Sequence, residues 1–136
     1  MTVTVNTKTG HGMLVLDITG SATSHNLGNI LNPEGVALAI LDAVIYIDTA
    51  GLSTCDMHVG IGATGTGVAQ NDLYDNFPID GTAGTAWKCV AYAVAGGAMT
   101  TPALWSPTTY LTFYTDTAYS TGFVGKMFVR YLRLTD

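Results

Sequence analysis

Thr54 to Gly65 reads TCDMHVGIGATG, and the choice of fold class turns on it. Its second half, Gly60 to Gly65, spells GxGxxG, the pattern that holds pyrophosphate in dinucleotide-binding domains. That role needs a strand before the glycines, a helix opening among them and parallel βαβ surroundings. The strand is there: Cys55, Met57, Val59 and Ile61 alternate with Thr54, Asp56, His58 and Gly60, the period of a half-buried antiparallel strand. The helix is missing. TGTGVAQNDLYDNFP has no sustained helical period and soon reaches Pro78. Asp80 lies near the distance of a ribose-binding acid, but in a turn-like PIDG, and no GK[ST] follows the glycines. The stretch therefore reads as a strand closed by a turn, with glycine expected there for its access to positive φ.

The rest of the chain agrees with that reading. Met13 to Ile18 (MLVLDI) reads as a strand, and GSATSHNLGN after it as loop or short edge strand. Asn32 to Gly35 (NPEG) is a turn in which Pro33 presets φ and Gly35 accepts unusual backbone angles. VALAILDAVIYID is expected to be one long strand or two, buried on both faces in places. AQNDLYDNFPIDGTAG reads as a long loop with one helical turn at NDLYDNF, and AGGAMTTPALWSP as another loop. TAWKCVAYAV, TYLTFYTDT and GFVGKMFVRYLRL complete the strands. In TYLTFYTDT, Leu111 and Phe113 oppose Tyr110, Thr112 and Tyr114. In the last, Lys126, Phe128, Arg130 and Leu132 oppose Met127, Val129 and Tyr131. About seven or eight strands separated by turn signals predict an all-β antiparallel β-sandwich, jelly-roll-like and a single domain. Residues 1–12 are expected to be an N-terminal arm or extended segment and residues 13–136 the sandwich.

Composition narrows the possible partners. The chain has 136 residues, enough for a hydrophobic core without staples. Only 11% of residues are charged, against about 25% in an average soluble domain. With 48% hydrophobic residues, some apolar surface is expected to be covered by a partner. The net charge of −5 argues against nucleic acid and against anionic membrane surfaces, both of which reward Lys and Arg. The polar start MTVTVNTKTG shows no secretory signal. The longest apolar run carries Asp42 and is too short to span a bilayer. A soluble protein made in the cytoplasm is the expectation. Cys55 and Cys89 are expected to be small buried hydrophobes rather than a disulfide or a metal pair.

No local motif carries chemistry. His11, His25 and His58 form no HxH or HExxH pair. His58 and Asp56 share a strand face, where an exposed hydrogen-bonded pair is expected. No serine stands in a GxSxG elbow. Asp72, Asp75 and Asp80 gather in one segment with Asn71 and Asn76, without the EF-hand spacing, and are read as a solvated acidic loop. Tyr74, Phe77, Trp105 and Tyr119 fall in loops where they could stack on a sugar ring or pack the loop down. No catalytic, cofactor-binding or metal-binding residue is assigned.

LDITGSATSHNLGNILNPEG, then AVIYIDTAGLSTCDMHVGIGATGTG, then NDLYDNFPIDGTAG resembles small tailed-bacteriophage virion proteins of the head decoration, or cement, type. The matching positions are Ile18 to Ser21, Asn32 to Gly35, Asp56 to Ala63 and Asn71 to Asp75, within roughly the first two thirds of the chain. The resemblance implies a jelly-roll-like homotrimer that binds the major capsid protein on the outer head surface and resists the pressure of packaged DNA, with no active site. Self-association is expected through the strand faces around Leu111, Phe113 and Phe128, with plain core as the alternative, and shell contact through MTVTVNTKTG, with disorder as the alternative. The alternative is a carbohydrate-binding module of a phage fibre or tail, using Tyr74, Trp105 and Tyr119. A small hydrolase with paired carboxylates is a third reading.

Overall fold

The computed structural model describes residues 10–63, 70–89, 102–116 and 118–135. They form strands β1 (His11–Thr19), β2 (Asn26–Leu31), β3 (Leu38–Thr49), β4 (Asp56–Gly62), β5 (Tyr74–Pro78), β6 (Thr85–Lys88), β7 (Ala103–Trp105), β8 (Tyr110–Thr115) and β9 (Val124–Arg133). One sheet runs β1-β9-β3-β6, with β7 also paired to β3, and the other β2-β8-β4-β5. Every pairing is antiparallel. The pairs nest: first strand with last, second with eighth, fourth with fifth. Folding a nested set of hairpins over itself makes a jelly-roll sandwich, as the alternation predicted.

β3 shows how the sequence sets its own irregularities. Leu38 and Ile40 point into the core, and so do Ala43, Ile45 and Ile47, which stand on opposite phases of a strict two-residue repeat. The register against β9 shifts between Ile40 and Asp42. This bulge at Leu41 restores the inward phase. Further along, β3 offers one edge to two short strands: Val44–Ile47 pairs with β6 and Leu38–Ile40 with β7.

Three expectations change. NDLYDNF is not helical: Tyr74–Pro78 is the edge strand β5, bent at Asn76 with φ 54°. The PALW segment, read as loop, contains β7, because Leu38–Ile40 of β3 has free backbone groups to pair. Leu111 and Phe113 are buried core, so they form no self-association surface; the β8 face that carries them turns toward the other sheet. The first strand begins at His11, two positions before Met13. Of the N-terminal segment MTVTVNTKTG, residues 1–9 lie outside the described residues, as do 90–94 of the expected TAWKCVAYAV strand.

The turn motifs act as ties. Gly20 N–H donates to Phe123 O (2.8 Å) and Ser21 N–H to Ser120 Oγ (2.9 Å). A Cβ on Gly20 would overlap the Ser120 carbonyl. Asn32 is buried and closes NPEG from both sides. Its Oδ1 accepts from Glu34 N–H (3.0 Å) and Gly35 N–H (3.1 Å), and its Nδ2 donates to Val36 O and Trp105 O (both 2.9 Å). Gly35 has φ +69°, as the turn reading required. Arg133 then donates to both oxygens of Glu34 (Nε 2.7 Å, Nη2 3.0 Å), and Tyr131 Oη donates to Glu34 Oε1 (2.6 Å). These bonds, Arg133 first, hold the Glu34 carboxyl at about 2, below its ordinary 4.5.

Two outcomes follow. Gly20→Ala should cost about 1–3 kcal/mol, the range for overpacking, read by urea unfolding, because a backbone carbonyl cannot step aside. The Glu34 clamp stabilises the fold fully above about pH 4.5 and loses that contribution as pH falls toward about 2. Unfolding curves across that window should therefore show a loss in the wild type that Glu34→Gln lacks.

Candidate functional site

The outer face of β2-β8-β4-β5 gathers polar side chains far apart in sequence. His58 on β4 points outward, away from Met57 and Val59. It is nevertheless 7% exposed: Asp75 and Asp116 close on its ring, and the chain at Asn71 and Asp72 passes over the same face at Gly60. Gly60 allows that approach: a Cβ there would lie 2.7 Å from the backbone nitrogens of Asn71 and Asp72. The Asp72 carboxylate accepts from Ile61 N–H (2.8 Å), and Leu73 N–H donates to Val59 O (2.9 Å). Gly60 and Gly62 belong to β4, and neither has positive φ. Close backbone approach, not a left-handed turn, is the reason for glycine at position 60, contrary to the expectation from the motif. Gly65 lies outside the described residues.

Asp56, the expected partner of His58, does not bond it. His58 Nδ1 lies 3.1 Å from Asp75 Oδ1, and Nε2 lies 2.7 Å from Asp116 Oδ2. The ring thus ties β5 and the end of β8 to β4. Asp56 stands nearby with its carboxyl raised, first by burial and then by the Asp116 and Asp80 charges. The Asp72, Asp75 and Asp80 group predicted from sequence is split: Asp72 caps a backbone N–H, Asp75 holds His58, and Asp80 is exposed in the turn after β5. Among the described residues, no group of three or more His, Cys, Asp or Glu side chains could hold a metal ion.

The aromatic candidates separate as well. Tyr74, Phe77 and Trp105 are fully buried. Tyr74 Oη reaches from one sheet to the other, 2.8 Å from Trp87 O and 3.1 Å from Ala43 O. Trp105 Nε1 donates to Thr109 O at 3.0 Å. Tyr119 alone of the four is open, 43% exposed. It stacks on His25 at 4.7 Å, and His25 lies 5.8 Å from Tyr114, the cross-strand partner of His58. The only sequence signal for this assembly was the outward phase of Tyr114 and His58. Cys55 and Cys89 are free and buried, as expected of small hydrophobes. Burial pushes the Cys55 thiol up.

The outer face of the other sheet has a different character. Cross-strand registers place Val15, Phe128 and Val44 in one row. Asp17, Lys126 and Tyr46 form the row on one side, and Met13, Arg130 and Asp42 the row on the other. Met13 is 61% and Val15 56% exposed. Met13, Val44, Phe128, Arg130 and Asp42 line a shallow groove. Lys126 forms an ion pair with Asp17. No helix among the described residues is long and apolar enough to cross a membrane. Comparison with protein families, curated proteins and solved structures finds no match to this chain.

His58→Ala would leave the Asp75 and Asp116 carboxylates without the ring that both bond. Both are partly exposed, 30% and 39%, so thermal unfolding should show a loss of about 1–2 kcal/mol rather than the roughly 3–5 kcal/mol of a fully buried pair.

Proposed function

We propose that the chain is a structural virion protein. It is a capsid decoration protein that binds the outer surface of a tailed-phage head as a homotrimer and braces the shell against packaged DNA. The observation that supports this reading best is the row Val15, Phe128 and Val44 on the outer sheet face, with Val15 exposed and Phe128 and Val44 half-buried among the described residues. A chain that worked alone in water would gain nothing from exposing it. The motif positions behind the resemblance fit the same role. Gly20, Ser21, Asn32 and Gly35 all tie strands together, as a subunit under mechanical load requires. The acidic end formed by Asp56, Asp75, Asp80 and Asp116 suits basic patches on the major capsid protein. Many weak contacts of this kind hold firmly when several engage together.

A second reading is a carbohydrate-binding module of a fibre or tail. The exposed Tyr119 ring beside His25, Tyr114 and the carboxylates of Asp75 and Asp116 favours it. In that case Tyr119→Ala should abolish binding on a glycan array.

The deciding measurement is the copy number of this chain in purified virus particles from its source, relative to the major capsid protein. The decoration reading expects comparable numbers. A small fraction would favour the fibre or tail reading, and absence from particles would end both.

A further inference from the structure

The charges around the apolar row say how it is covered. On one side, Lys126 is paired with Asp17 of its own chain. On the other, Arg130 and Asp42 are cross-strand neighbours yet form no ion pair among the described residues. They are opposite charges on adjacent strands of one sheet face, Arg130 exposed and Asp42 half-buried, and among the described residues neither is ion-paired.

We propose that this face binds a second copy of the chain across a two-fold axis that lies in the interface, along the strands and between β9 and β3. β9 of each copy then lies over β3 of the other. Arg130 meets Asp42 of the second copy, and the symmetry makes that contact twice, as an isologous interface must. Phe128 meets Val44, and the Lys126 ammonium meets the Tyr46 ring, a favourable cation–aromatic contact. Strand directions agree within the roughly 30° that packed sheets adopt.

Other two-fold axes suit the charges less well. An axis across the strands through the apolar row sets Lys126 against Arg130. An axis along β9 sets each of these cations against its own copy. An axis between β9 and β1 offers Asp17 to Lys126, which are already paired at home, and carries Asp42 beyond the sheet edge.

The pairing does not rest on the virion reading, since it concerns the chain with itself. It is compatible with a trimer built through another surface, in which case the two-fold contact would join two trimers into a hexamer.

Light scattering on the full chain, coupled to size exclusion, tests it with a charge exchange. Asp42→Arg makes both positions of the Arg130–Asp42 pair cationic, and Arg130→Asp makes both acidic. Each variant alone should associate at least about tenfold more weakly than wild type. An equimolar mixture of the two should recover association as a mixed pair, visible by native mass spectrometry. Val44→Asp, which places a charge opposite Phe128 without touching the ionic contact, should weaken association as well and covers the case in which one charge variant does not fold. A wild-type dimer or hexamer supports the proposal. A wild-type monomer at high concentration overturns it, as do single variants that associate like wild type or a mixture that fails to recover. A wild-type trimer also overturns it while leaving the decoration reading standing.

Discussion

β9 is held between β1 and β3, and the rest of the molecule depends on that insertion. β1 pairs with β9 from His11↔Leu132 to Thr19↔Val124, so the first described strand is complete only when the last is in place. Before that, the inner faces of β1 and β3 have no continuous sheet to belong to. Closing so long a loop is entropically expensive, and its contacts return that cost only together. The interior that results is apolar across both sheets, with Trp105, Tyr74, Phe77 and Phe123 fully buried. Each such side chain contributes about 1.5–3 kcal/mol. A solvent-exposed ion pair such as Asp17–Lys126 contributes far less, because water screens it. The core sets the stability, and the surface charges set what the surface can meet.

Polar groups inside this frame are used as ties. Asn32 joins a turn to β7, Tyr74 joins one sheet to the other, and His58 joins three segments of the same sheet. Each answers the cost of burying a polar atom by meeting it with a partner. The partners are distant in sequence, so every tie also fixes the register of the strands it spans. This accounts for the glycine at position 60: the chain crosses itself there, and a side chain would hold the crossing segments apart.

The two outer faces differ for a physical reason. Over β4 the chain supplies its own cover, from Asn71 to Asp75, with polar groups that satisfy the strand beneath. Over β1, β9 and β3, among the described residues, an apolar row of exposed Val15 and half-buried Phe128 and Val44 lies between two charged ones. The first face offers acids and one open tyrosine; the second offers area.

Much of the strand pattern was legible in the sequence, because side-chain alternation is a local property. Met127, Val129 and Tyr131 against Lys126, Phe128 and Arg130 separates the two faces of β9 without reference to any neighbour. The short strands β5 and β7 were not legible, since three or five residues carry too little pattern and exist by pairing with β4 and β3. Nor was it legible that Leu111 and Phe113 face the core rather than a partner: alternation separates two faces and does not say which is inside. The site around His58 was the least visible, because Asp75 and Asp116 lie 17 and 58 residues away, and Asp56, the neighbour in sequence, is not the partner. The sequence by itself determined an antiparallel sandwich and the two faces of its long strands. The tertiary structure decided which acid meets which base, which aromatic stays in water and which face is left open, because those outcomes depend on distances the chain acquires only when its ends come together.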